Sequence, residues 1–328
     1  MAKRAQGAAG RARHPLANAG NLVRIAAGIA LLALLYYLGI VDIAALGALA
    51  SRPDIVALAT IAALASIPLE ALRWHILLRS QGLPLRLGRT TRILATSLFF
   101  ANFLPGAAGG DLIRGVYIYN AAEGRRTPAL LSILIDRLIG LIAFVLVGLV
   151  AVLLLPSTGS AALAPLIAVL SALFLAGLAA VVLFGQPMGR FLRRALSGWS
   201  LRLLTIIDDL GAALRQYAHD WRRTGLALVI SVAIAVLSVA PIVLIAEAMQ
   251  IGTLSLLGYA VAGLYALIAN SLPVTPGGLG VGEAAFASVC VMLDPRAAYA
   301  AYGTIFLAFR CIFILSTVPG LVAYLIYS

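Results

Sequence analysis

Asn270-Ser-Leu-Pro273-Val-Thr275-Pro276-Gly277-Gly278-Leu-Gly280-Val-Gly282-Glu283 sets four glycines and two prolines inside otherwise apolar sequence. An earlier stretch echoes it: Asn102-Phe-Leu-Pro105-Gly-Ala-Ala-Gly109-Gly110-Asp111-Leu-Ile-Arg114. Both read Asn-x-Leu-Pro, then three residues, then Gly-Gly, and Asn270, Pro273 and Gly277 each lie 168 positions after Asn102, Pro105 and Gly109. Irregular backbone at membrane depth leaves N–H and C=O groups that hydrocarbon cannot satisfy, so such a break must line protein or a watery cavity. Paired Gly/Pro interruptions at corresponding positions of two halves point to a transporter's binding site. The alternative is two ordinary loops between full-length helices that share turn chemistry. Matched positions under a single offset favour a broken helix used twice.

The rest of the chain fits a membrane setting. Of 328 residues 62% are hydrophobic and 11% charged, the composition of an all-α polytopic membrane protein and not of a soluble domain. The net charge of +12 is no nucleic-acid footprint, because the basic residues gather in short segments between apolar runs, as positive-inside loops do. Cys290 and Cys311 lie in apolar sequence, and His14, His75 and His219 are scattered. Neither a disulfide framework nor a metal site is expected, and no cofactor.

Residues 1–20, with Lys3, Arg4, Arg11 and Arg13, read as a cytoplasmic basic tail. Residues 21–184 read as a first membrane half. Its first span is Ile25–Ile40, kept as a span because no small-residue cleavage site follows it and more spans do. Span two is Ile55–Leu78, followed by a basic loop with Arg79, Arg86, Arg89 and Arg92. A hairpin over 93–120 has two arms too short for a core that needs about 20 helical residues. Basic flanks on both sides, Arg125 and Arg126 included, make it a re-entrant hairpin from the cytoplasmic face. Leu130–Leu155 then crosses outward and Leu163–Phe184 returns.

Residues 185–223 carry seven arginines, with Trp199, Leu203, Ile206, Leu210, Leu214 and Tyr217 at helical spacing. They read as a cytoplasmic basic amphipathic linker or, equally, a plain connector. Residues 224–328 form the second half: span Leu226–Ile245, a hairpin over 254–293 entering from outside, and a last span, Tyr299–Tyr327. The expected architecture is about six spanning helices plus two re-entrant broken-helix hairpins in an inverted-topology repeat, with both termini cytoplasmic. Such repeats place a site near the bilayer midplane.

At this point a family resemblance is specific. The Asn-x-Leu-Pro-(x)3-Gly-Gly-Asp-x-x-Arg stretch, Asp136-Arg137 followed by Gly140, the Thr275-to-Glu283 glycine stretch, and the late Arg310 with Pro319-Gly320 resemble the flippase-like transmembrane family. That family includes the membrane region of lysylphosphatidylglycerol synthases and free-standing relatives linked to hopanoid and dolichol-type lipid pathways. The resemblance implies movement of a lipid or lipid-linked molecule between leaflets of the cell inner membrane. The synthases carry a large soluble aminoacyl-transferring domain after their membrane region; this chain ends at Ser328, and that enzyme activity is not expected of it.

Taken on their own chemistry, the candidate substrate-binding residues are Asn102, Pro105, Gly109, Gly110, Asp111, Arg114, Asn270, Pro273, Thr275, Pro276, Gly277, Gly278, Gly280, Glu283 and Arg310. A half-helix starting near Gly110 or Gly280 presents free N–H groups and a positive dipole end suited to a phosphate. Arg114 adds a charge-assisted donor, or pairs with Asp111. Asp111 and Glu283 in those first turns oppose an anion, and either is a candidate proton carrier. Arg310 lies inside an apolar span and is read two ways, as a headgroup contact or as a salt bridge to Glu283. Asp136 and Arg137 are a possible supporting pair or snorkelling residues. Glu70 and Arg73 read as an interfacial pair, with Trp74 as a membrane anchor.

These features support a lipid flippase or transporter acting on a phospholipid or polyprenyl-phosphate-type substrate, with possible proton or ion coupling, since no ATP-binding motif is present. Two other classes stay open: a regulatory or assembly subunit of a membrane lipid-modification pathway, and a membrane-embedded transferase on a lipid carrier.

Overall fold

Pro53 opens the first long helix at a position where a missing N–H costs nothing. A computed structural model describes residues 37, 47, 49–83, 85–102, 108–122, 124–155, 165, 167–169, 171–173, 176, 212, 215–251, 254–272, 275, 278–294 and 299–327. The tail 1–20, the span Ile25–Ile40 except Tyr37, most of Leu163–Phe184, most of the linker, and Pro105, Pro273, Pro276 and Gly277 lie outside the described residues.

Among the described residues the helices are α1 (Pro53–Ser80), α2 (Leu87–Ala101), α3 (Ala108–Ala121), α4 (Arg126–Leu153), α5 (Trp221–Met249), α6 (Leu256–Asn270), α7 (Val281–Leu293), α8 (Tyr299–Ser316) and α9 (Val318–Tyr327). Four stretches among the described residues are long and apolar enough to cross a membrane: α1, α4, α5, and Tyr302–Ile326 across α8 and α9. At 1.5 Å per residue α1 runs about 42 Å, long enough to span hydrocarbon and headgroups. The shorter α2, α3, α6 and α7 form the arms of the two breaks. The first residues of α1 and α5, Pro53 and Trp221, are 168 positions apart, the offset that relates the two glycine stretches.

Two of the four apolar clusters among the described residues centre on one group of helices each. Trp74 and Leu78 of α1, Leu94 of α2, Ile118 of α3 and Ile133 of α4 form one. Ile242 and Ile245 of α5, Leu264 of α6, Phe286 of α7 and Phe306 of α8 dominate the other. Large side chains such as Ile61, Leu134, Val150, Val229 and Leu325 stay exposed, as lipid-facing positions do. α1 and α5 pack along one another at the centre, joining the two groups. Before α5, Gln216 Nε2 donates to Ser80 O at 2.7 Å and the Tyr217 hydroxyl to Leu77 O at 3.3 Å, satisfying carbonyls at the α1 C-terminus. Burial pushes the Tyr217 hydroxyl above its ordinary pKa.

Two boundaries differ from expectation. α2 begins at Leu87, so Arg89 and Arg92 stand on a helix and not in the loop. The last span is interrupted at Thr317, because Pro319 has no N–H to continue the ladder. α9 then packs on α2, where a Cβ at Gly320 would stand 2.0 Å from Ala95 O. Gly320→Ala is expected to cost about 1–3 kcal/mol by overpacking. The check is thermal unfolding of the detergent-solubilised protein, and an unchanged Tm would show that α9 is not closely docked.

Candidate functional site

The second break is built around glycine. Gly278 and Gly280 take φ of +71° and +81°, conformations that glycine enters without the Cβ penalty. Behind them, the Gly280 N–H donates to Glu283 Oε2 at 2.8 Å, so the N-terminus of α7 closes on its own carboxylate. The Thr275 hydroxyl donates to Leu279 O at 2.7 Å, bracing the turn. Arg310 of α8 forks onto Glu283, Nε to Oε1 at 2.7 Å and Nη2 to Oε2 at 3.2 Å. Its Nη2 also reaches Asn270 Oδ1 at 3.1 Å and Gly278 O at 3.0 Å. One guanidinium thus ties together α6, the break and α7.

The first break uses different residues for the same purpose. Asp136 of α4, 1% exposed, accepts from two arginines. Arg73 of α1 approaches it with Nε at 2.7 Å and Nη2 at 3.2 Å, and donates Nη1 to Ser231 Oγ of α5 at 3.1 Å. Arg114 of α3 donates Nη2 to Asp136 Oδ2 at 2.9 Å, its guanidinium 4.0 Å above the Trp74 ring. Trp74 Nε1 in turn donates to Ser132 Oγ at 3.0 Å. Arg137, next along α4 and so about 100° around the helix, pairs with Asp111 of α3. Gly110 allows the hairpin to close, since a Cβ there would lie 2.9 Å from Ser97 O.

Between the two breaks lies a cavity of about 270 Å³ onto which Glu70, Asn102, Arg137, Ser238, Asn270 and Arg310 open. A second space of about 200 Å³, around Arg73, Asp111, Arg114 and Asp136, adjoins it and shares Glu70, Arg137, Ser238 and Ser271. Asn102, which caps α2, donates Nδ2 to the Thr317 hydroxyl at 3.1 Å. A third, open groove of about 530 Å³ runs between α3 and α4 along Leu112, Val116, Leu130 and Leu134, and Asp111 and Arg137 stand at its inner end. The Asp111–Arg137 pair therefore separates an apolar groove from a polar interior.

Asn102, Asp111, Arg114, Asn270 and Arg310 all reach this interior. Glu283 is directly behind Arg310 and fully buried. Gly109 is buried in the first turn of α3, and Thr275, Gly278 and Gly280 shape the second break. Of the two readings of Arg310, the salt bridge to Glu283 is present. Asp111 and Arg114 approach to 3.9 Å, yet each has a closer partner. Three expectations are corrected. The Gly280 N–H is not free for a phosphate, because Glu283 three residues on occupies it. Asp136 and Arg137 do not snorkel, since both are drawn inward by oppositely charged partners on neighbouring helices. Arg73 and Trp74 are 7% and 0% exposed, so neither side chain faces lipid or headgroups; Arg73 bonds Asp136 and not Glu70. Glu70 and Arg73 were legible as charges inside an apolar run, which default to inward-facing roles.

No curated protein and no solved structure matches the chain. The family model described as the lysylphosphatidylglycerol synthase TM region matches residues 21–320. Together with the long apolar helices this makes the chain a multi-pass membrane protein. It belongs to the lysylphosphatidylglycerol synthase TM-region family.

Proposed function

We propose that the protein is a carrier, not an enzyme, that moves a lipid or lipid-linked molecule with a phosphate-bearing headgroup between the leaflets of the inner membrane. The observation that carries this reading is the charge-lined cavity between the two breaks, enclosed by helices whose outer surfaces are apolar. Polar groups at that depth are costly unless they serve a pathway or pair tightly. The headgroup enters past Asp111 and Arg137 from the α3–α4 groove while its tails stay against Leu112, Val116 and Leu134. Arg137 and Arg310, with Asn102 and Asn270, supply donors to the phosphate. The two broken-helix hairpins act as re-entrant elements of an inverted repeat opening to opposite faces, with both termini in the cytoplasm, and rocking of one half on the other exposes the cavity alternately.

Leaflet movement of fluorescent phosphatidylglycerol in reconstituted vesicles tests this, with phosphatidylcholine and polyprenyl-phosphate reporters in parallel. Wild-type protein is expected to move an anionic reporter, and Leu134→Trp, which fills the groove from the lipid side, to slow it. Equal movement by empty vesicles, or by a folded Arg137→Gln protein and wild type, contradicts the reading.

A further inference from the structure

We propose that Glu70 is the proton-binding site of the central cavity, and that its protonation admits one anionic headgroup, so that lipid movement is coupled to a proton; the coupling rests on the transport reading above. The acids at or directly behind the cavity are Glu70, Asp111, Asp136 and Glu283, and the bases are Arg73, Arg114, Arg137 and Arg310. With all ionised, these charges cancel. Three of the acids are engaged: Asp136 by Arg73 and Arg114, Asp111 by Arg137, and Glu283 by Arg310. Among the described residues Glu70 bonds to no cation, and its hydrogen bond is a long one from the Ser66 hydroxyl at 3.5 Å.

Glu70 also stands where the two cavities meet, lining both. The charged groups that face it are Arg73 on its own helix, Asp111 and Arg114 from α3, Asp136 and Arg137 from α4, and Arg310 from α8. α2, α5 and α6 contribute only neutral lining residues, such as Ser97, Ser238 and Asn270. A proton taken up by Asp111, Asp136 or Glu283 must part a salt bridge. One taken up by Glu70 parts none. The cavity then holds one positive charge in excess, and in a low-dielectric space that excess selects a headgroup carrying one negative charge. Loss of the proton at the other face restores neutrality without the anion and favours its release.

Above the titration of Glu70 the cavity is neutral and anion entry is disfavoured; below it, entry is favoured. Glu70→Gln keeps the shape and fixes the neutral side chain, so the cavity stays positive at every pH.

The test uses the full chain in phosphatidylcholine vesicles. An infrared pH titration is expected to show a protonated-carboxyl signal that grows as pH falls, is absent in Glu70→Gln and is shifted in Ser66→Ala. A signal that persists unchanged in Glu70→Gln overturns the proton site, whatever is found for transport. In the same vesicles, wild-type movement of fluorescent phosphatidylglycerol is expected to fall about tenfold per pH unit above that titration, as the competent fraction falls, and to be flat in Glu70→Gln. A wild-type slope retained in Glu70→Gln overturns the coupling. A Glu70 signal without movement of any anionic lipid keeps the proton site and removes the transport reading, and the coupling with it.

Discussion

Asp136→Ala is expected to yield little or no folded protein. The carboxylate is 1% exposed and compensates two arginines, Arg73 at 2.7 Å and Arg114 at 2.9 Å, which sit on different helices. Removing it leaves two buried guanidiniums facing each other with no anion between them. Breaking one buried pair costs about 3–5 kcal/mol, and here two pairs go, against a typical total stability of about 5–15 kcal/mol. Arg114 is then left with Asp111, 3.9 Å away and already paired with Arg137, and with the Trp74 ring, while its Nε has no hydrogen-bond partner among the described residues. Size-exclusion profiles and thermal melts in detergent measure the effect. A monodisperse Asp136→Ala protein melting like wild type would show that water reaches this cluster and screens it.

Arg310→Met is expected to destabilise by a similar amount, about 3–5 kcal/mol, because Glu283 is left charged and fully buried. The informative comparison is the double variant Arg310→Met, Glu283→Gln. A glutamine keeps an acceptor for the Gly280 N–H and removes the stranded charge, so most of the lost stability returns. Lipid movement is expected to stay absent, since Arg310 is gone from the cavity wall. Stability that fails to return would place the main role of Arg310 in its bonds to Asn270 Oδ1 and Gly278 O. Movement that returns with stability would remove Arg310 from substrate handling.

Much of this site is legible in the sequence, and where legibility stops has physical causes. The two breaks announce themselves because glycine and proline inside apolar runs have few other uses at membrane depth. Arg310 and Glu283 are each an isolated charge in hydrocarbon, which makes their salt bridge one of the two readings of Arg310, beside a headgroup contact. The Arg73–Asp136–Arg114 cluster has no such signal, because its members are 63 and 22 positions apart and no local spacing encodes the meeting of α1, α3 and α4. Arg73 lies seven residues before Ser80, about 10 Å from the end of α1, a position that reads as interfacial, whereas α1 packs among α2, α4, α5 and α8 and buries the side chain. Trp74 misled for the same reason, its amphipathic ring serving equally as a membrane anchor or, with Ser132 as acceptor, as core. The closure of Gly280 on Glu283 did leave a signal, the acid three residues into a helix that marks a capping box.

The interruption at Thr317 divides the last span's allegiance. α8 belongs with α7 and α1, whereas α9 lies on α2, and the Thr317 hydroxyl receives the Asn102 amide from the end of that same helix. One continuous stretch of chain is therefore fastened at either end to the opposite hairpin, like a connecting rod between two cranks. Its bearing is the short joint from Thr317 to Gly320, where the Gly320 N–H returns to Thr317 O at 2.8 Å. The two breaks are thus joined covalently through four residues, Thr317 to Gly320, with no loop between them to take up slack.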